Sequence, residues 1–197
     1  RETINSQQQV KGRRLRMEVT ADKEFQVKSD VESMWKLLSD PAKVVVCVPG
    51  AQLTEVVDEV NFKGKISVKI GPVTSKFNGE AKFDKLDADA REMVLSGAGT
   101  DTGGKGSASM TMSLALSEFE GGTLVKSSMK LSVTGKLAQF GARMIVAVNN
   151  KLFNQFTQSF TQMVETGEAA AGTEAAPVDG LQLAGSAFMG MITGKKD

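Results

Sequence analysis

Residues 64 to 83 read GKISVKIGPVTSKFNGEAKF, two runs of alternating apolar and polar residues that meet head to head at one Gly-Pro. Alternation with period two puts successive side chains on opposite faces of a strand, and a Gly-Pro between two such runs is a turn signal, so the stretch predicts a long β-hairpin. Phe62, Ile66, Val68 and Ile70 fall on one face of the first run, with a slip at Gly64. Val73, Phe77, Ala81 and Phe83 do the same in the second. A hairpin that is apolar on one side only needs something to cover that side.

More strands precede and follow it. Met17 to Lys28 alternates, with Met17, Val19, Ala21, Phe25 and Val27 on one face. Further strands are predicted at 52–57, 60–70, 73–86, 91–100, 107–119 and 123–135. The short connections Asp58-Glu59, Gly71-Pro72, the D-A-D-A segment at 87–90, Gly103-Gly104 and Gly121-Gly122 imply an antiparallel meander. Between the first strand and the rest lie two short helices. Ser29 and Glu32 have the spacing of a capping box, and Val31, Met34, Trp35 and Leu38 recur along one helical face. Asp40 and Pro41 then supply an N-cap and a first helical position for a second helix through Val46, ended by Pro49-Gly50.

The cover comes last. From Leu137 to Val164 no proline interrupts, and Leu137, Phe140, Met144, Ile145, Val148, Leu152, Phe156, Phe160 and Met163 form a helical stripe. A helix of about 28 residues at roughly 1.5 Å per residue crosses some 42 Å, enough for a whole curved sheet. The expected fold is α+β: a seven-stranded antiparallel curved sheet around one long C-terminal helix, with two short helices after the first strand.

The ends differ from this middle. Residues 1–16 carry Arg1, Lys11, Arg13, Arg14 and Arg16 against Glu2 alone and have few aliphatics, the composition of a flexible basic arm. Residues 17–165 make the folded domain. The segment TGEAAAGTEAAPVD at 166–179 reads as a linker. Residues 180–197 contain an uncharged run, Gly180 to Gly194, followed by Lys195 and Lys196. As a helix that run reaches roughly 22 Å, short of the roughly 30 Å hydrocarbon core, so a span is not expected. Leu181, Phe188, Met189, Met191 and Ile192, with Lys195 and Lys196 toward anionic headgroups, suit an interfacial membrane anchor or a partner contact; a frayed end suits them equally.

Chemistry is narrowed by what is missing. The chain has no histidine, no tyrosine and one cysteine, Cys47, so most residue types used for acid-base work, nucleophilic attack or metal ligation are absent, and an enzyme is not expected. A net charge of +1 gives no reason to expect a nucleic-acid partner.

Six short motifs carry a resemblance: S-D-P-A at 39–42, C-V-P-G at 47–50, V-K-I-G-P-V at 68–73, F-N-G at 77–79, G-A-G at 97–99 and G-K-L-A-Q-F-G-A-R at 135–143. Together with the element order they resemble the helix-grip superfamily of START lipid-transfer domains, birch-pollen allergens and polyketide cyclases, and within it the carbon monoxide dehydrogenase G-subunit family. The resemblance implies an accessory protein of a molybdenum hydroxylase of the carbon monoxide dehydrogenase type, recruiting that enzyme to the cytoplasmic face of the membrane and binding a quinone or another hydrophobic small molecule. No covalently held cofactor is implied.

A helix-grip fold places its cavity between sheet and long helix, so Trp35, Met93, Met110, Met112, Met129, Phe140, Met144 and Phe153 are candidate lining residues. Flexible thioethers suit an adaptable wall. Arg143, the charged residue near the start of the stripe, is a candidate for holding a ligand oxygen, though pairing with a carboxylate explains it as well. A docking factor without ligand is the alternative reading, and a cyclase-like enzyme, restricted to Asp, Glu, Lys or Arg, comes third.

Overall fold

A computed structural model describes residues 4–11 and 14–167, with side chains from Leu15 onward. Eight strands form one antiparallel sheet in the order β1-β2-β8-β7-β6-β5-β4-β3. They run β1 Ile4–Lys11, β2 Arg14–Val27, β3 Ala51–Val56, β4 Asn61–Ile70, β5 Val73–Asp87, β6 Glu92–Asp101, β7 Ser107–Phe119 and β8 Gly122–Thr134. From β3 to β8 each strand pairs with the next in sequence, and β2 then closes on β8, with Val19 opposite Leu131 and Phe25 opposite Val125.

Two helices carry the chain from β2 to the far edge at β3: α1, Val31–Leu38, and α2, Pro41–Val45. Met34, Trp35 and Leu38 bury the inner face of α1. Asp40 caps α2 by accepting from the Ala42 and Lys43 N–H groups, and Pro41 opens the helix, as its fixed φ allows. At α1 the expected capping box is corrected. The N-cap is Asp30, whose Oδ1 accepts from the Ser33 N–H at 2.8 Å, and Glu32 pairs with Lys36 at 2.8 Å. Ser29 is held elsewhere, its carbonyl accepting from the Thr123 hydroxyl at 2.7 Å.

After β8 the chain makes a 3-10 turn, Gly135–Phe140, and only then α3, Gly141–Thr166. The expected single helix from Leu137 is thus split. Gly141 sits at φ 82°, ψ 156°, a conformation that suits glycine and breaks the helical run, and Gly135 has φ 73°. The 26 residues of α3 still measure roughly 39 Å.

The arm also differs from expectation. Ile4–Lys11, read as part of a solvated basic segment, pairs antiparallel with β2 from Ile4 opposite Ala21 to Lys11 opposite Arg14. β2 therefore begins three residues before Met17. The other seven strands and the long helix match the expected helix-grip architecture.

One line across the sheet is free of side chains. Gly64 pairs with Gly79, and Gly79 with Gly99, so three glycines stand side by side across β4, β5 and β6. A Cβ on Gly79 would lie 2.3 Å from the Ala98 carbonyl oxygen and 2.8 Å from the Gly99 Cα. Such an approach is open only to residues without side chains.

The core is divided. One cluster gathers Phe25, Met34, Trp35, Phe62, Phe83, Met93, Leu114, Val125 and Phe160. The other joins Met17, Val19, Ile70, Phe77, Val133, Leu137 and Ile145 at the opposite end of the sheet. The first is rich in rings: Phe25 meets Phe153, Phe156 and Phe160 edge-on at centroid distances of 6.0, 6.4 and 6.3 Å. The second is mostly aliphatic.

Candidate functional site

Between the two clusters the packing loosens. Of the 26 residues of α3, only Ile145, Ser159 and Phe160 are buried; from Val146 to Gln158 none is. The sheet positions opposite behave the same way. Met110 and Met112 of β7 and Met129 and Leu131 of β8 have the phase of the buried Leu114, Leu116, Val125 and Val133, so they point toward the helix, yet each is only half-buried. Their inward neighbours are small: Ala21, Ala81, Gly79, Gly97 and Gly99. Helix and sheet are held apart by the bulk at the two ends, and the small residues between cannot fill the separation. What results is a loosely packed, methionine-containing layer under the middle of α3, where Phe153 and Phe156 still lean on the ring-rich cluster and Val146 and Val148 on the aliphatic one.

The expected lining residues separate into three groups. Met110, Met112 and Met129 point toward α3, with Met112 and the half-buried Phe153 packed against the ring-rich cluster. Trp35 and Met93, 8% and 2% exposed, are instead closed into that cluster, where the Arg91 guanidinium lies 6.0 Å from the Trp35 ring centroid. Phe140 packs, half-buried, on the aliphatic cluster. Arg143 and Met144 are corrected outright: both are exposed in the first turn of α3. The break at Gly141 sets the helical phase so that Ile145 points inward, and at 3.6 residues per turn positions 143 and 144 then fall off the stripe. The Met144 side chain lies along the β4–β5 turn, within 3.5 Å of where a Gly71 Cβ would stand. The tail residues Leu181, Phe188, Met189, Met191, Ile192, Lys195 and Lys196 lie outside the described residues.

Two polar positions in this region were not singled out from sequence. Lys23 sits on the inward face of β2, in phase with Ala21 and Phe25 and opposite the buried Ser127, and its Nζ lies 5.8 Å from the Phe153 ring centroid. Asn150, one turn before Phe153 on α3, has a buried Oδ1 with no hydrogen-bond partner. The signal for Lys23 was present: it is the charged gap in the alternation Met17, Val19, Ala21, Phe25, Val27. Asn150 had none, since its burial depends on where the helix settles.

The remaining chemistry is structural. Cys47 is buried beside Met163, Sγ to Sδ 3.6 Å, and burial pushes its thiol pKa up. Asp101, also buried, accepts from the Lys105 N–H at 3.0 Å, and this bond holds its carboxyl below the usual range while fastening the β6–β7 loop. A depression, about 920 Å³, crosses the outer face of the sheet. Its walls include Glu18, Lys63, Lys82, Thr111, Lys130 and Ser132 of that face together with Phe62, Ala81, Met110 and Leu131, and no residue of α3.

A family profile for the G subunit of carbon monoxide dehydrogenase, CoxG, matches residues 24–165. The chain belongs to the CoxG family. The match runs from the last residues of β2 through nearly all of α3 and so contains most of both clusters, with Met17, Val19 and Ala21 lying before it. No curated protein matches this CoxG chain.

Solved structures agree on the fold. A conserved protein from Geobacillus kaustophilus superposes with a TM-score of 0.67 at 20% identity, over 76% of this chain and 97% of that one. The Zhui aromatase/cyclase from a Streptomyces species gives 0.53 at 11% identity, over 78% and 99%. Truncated norcoclaurine synthase from Thalictrum flavum gives 0.52 at 14% identity, over 76% and 94%. At these identities the likeness extends to the helix-grip fold alone.

Proposed function

We propose that this CoxG-family protein is a non-catalytic carrier of an apolar small molecule, a quinone by class, which recruits a molybdenum hydroxylase of the carbon monoxide dehydrogenase type to the inner face of the membrane. Family membership supplies the association with carbon monoxide dehydrogenase. The observation that supports a carrier is the loosely packed middle of the grip: inward methionines half-buried between two closed clusters, under a helix with no buried residue from Val146 to Gln158. A wall of this kind accepts a hydrophobic ring and adapts to its outline.

No described helix is long and apolar enough to cross a membrane. Recruitment in this reading is peripheral. Solvent extraction and mass spectrometry of the protein purified from quinone-containing cells tests the carrier: about one prenyl quinone per chain is expected, and an empty extract overturns it.

The outer depression favours a second reading, a docking factor without ligand. Its lining mixes Lys63, Lys82, Lys130, Glu18 and Glu80 with Phe62, Met110 and Leu131, a mixture that suits a protein surface. Capture of the hydroxylase by a chain whose extract is empty would support it.

A further inference from the structure

Charge is divided along the length of the molecule, although the net charge of the chain is only +1. The β3–β4, β5–β6 and β7–β8 turns lie at the ring-rich end, and around them stand Asp58, Glu59, Asp87, Asp89, Glu118 and Glu120. At the aliphatic end stand the β4–β5 turn, the β6–β7 loop, the 3-10 turn and the first turn of α3. The segments 60–79, 102–117 and 121–164, which supply that end, contain no aspartate or glutamate. Asp101, at the foot of the loop, is buried and accepts from the Lys105 N–H.

These pieces touch one another. Lys105 reaches from the loop to the Thr74 carbonyl, Nζ to O 3.2 Å, and its own carbonyl accepts from the Leu137 N–H of the 3-10 turn at 3.2 Å. The Met144 methyl lies 3.5 Å from where a Gly71 Cβ would stand. Around this junction Lys69, Lys76, Lys136 and Arg143 are exposed, and none of the four makes an ion pair among the described residues. Met144, 37% exposed, and the exposed Pro72 stand among them.

We propose that this cationic end is a docking surface of the folded domain for an anionic lipid bilayer, with Lys69, Lys76, Lys136 and Arg143 over the headgroups and Met144 and Pro72 against the acyl boundary. The proposal gives peripheral recruitment a face, and rests on that reading. Four cations left unpaired by their own chain suit a surface of repeated anions, and the exposed apolar groups beside them are a methionine and a proline, not the aromatic rings that anchor protein contacts. The same surface repels the acidic turns at the far end, so the division of charge orients the molecule as well as attracting it. Each lysine or arginine at an anionic bilayer strengthens binding about fivefold, and the effect fades over a Debye length, about 10 Å at roughly 0.1 M salt.

The test is flotation of the full chain with vesicles of phosphatidylglycerol and phosphatidylcholine, and with phosphatidylcholine alone. The native chain is expected to bind the first and not the second, and to be released as salt rises. Lys69→Gln, Lys76→Gln, Lys136→Gln and Arg143→Gln combined should weaken binding at low salt by at least about fiftyfold. Lys28→Gln, Lys36→Gln, Lys126→Gln and Lys151→Gln combined remove as much charge elsewhere and should weaken it less than about fivefold. Met144→Ser alone should weaken it about threefold, the share of one inserted apolar side chain.

Anionic vesicles that hold the first combination as well as the native chain overturn the assignment and leave peripheral recruitment standing through another part of the chain. Equal losses from the two combinations overturn it as well, because net charge alone then accounts for binding. A first combination that floats like the native chain yet no longer captures the hydroxylase makes this end a protein contact and overturns the bilayer. A native chain that binds neither vesicle overturns the surface together with peripheral recruitment. Should the fourfold variant fail to fold, Lys136→Gln with Arg143→Gln decides the matter, with about a tenfold loss expected.

Discussion

The ring-rich end of the grip and its middle are built from the same strands and the same helix, yet one is closed and the other slack. At the closed end Phe160 is 0% exposed, and four phenylalanines and Trp35 occupy the gap between α3 and the sheet. In the middle the same gap meets Ala21, Ala81, Gly97 and three half-buried methionines. The spacing of helix from sheet is a property of the whole rigid α3, set where side chains are largest. Small residues elsewhere therefore create room, and composition along a strand becomes shape across the molecule.

The sharpest way to break the comparison is to hollow the closed end. Phe160→Ala should lower stability by about 3–5 kcal/mol in urea unfolding, as removal of a well-packed ring does. A loss below roughly 1.5 kcal/mol would mean that this end is no tighter than the middle. Met110→Ala is the matching change in the slack region. Its cost should stay under about 1 kcal/mol, below the 2–5 kcal/mol that truncation of a filled-core methionine brings. A larger value would show the middle to be packed core.

The smallest effect concerns the aliphatic end, where Asp101 fastens the β6–β7 loop. Its carboxyl pKa is lowered in the folded chain, first by the Lys105 N–H, so its stabilisation is present in full above the ordinary carboxylate range and is lost as pH falls through the depressed value. Asp101→Asn should lower neutral-pH melting slightly, since that stabilisation is then missing at every pH, and flatten the acid limb of the stability profile. An unchanged acid limb would show that the loop is held by backbone contacts alone.

The fold was legible where a pattern repeats. Alternation and glycine-containing turns placed seven strands to within a few residues, and Asp40-Pro41 announced α2. Strand β1 was not legible, because INSQQQVK has only Ile4 and Val10 to mark a face, and it pairs through its backbone. The site was half legible. Period two brought Met110, Met112 and Met129 to one surface, but helical phase after Gly141 removed Arg143 and Met144, a matter of a glycine's backbone angles that no stripe of residues encodes. The reverse held for Lys23, which breaks an apolar alternation and so marks the wall that carries a polar group.

The row Gly64, Gly79, Gly99 runs across β4, β5 and β6 rather than along them, so it acts as a crease that divides each of these strands into two halves. Side chains resist folding wherever Cβ atoms collide on an inner face, and along this row there are none to collide. A bend is therefore least resisted along this crease, where it turns the two halves of each strand toward one another and leaves the pairing between neighbouring strands whole.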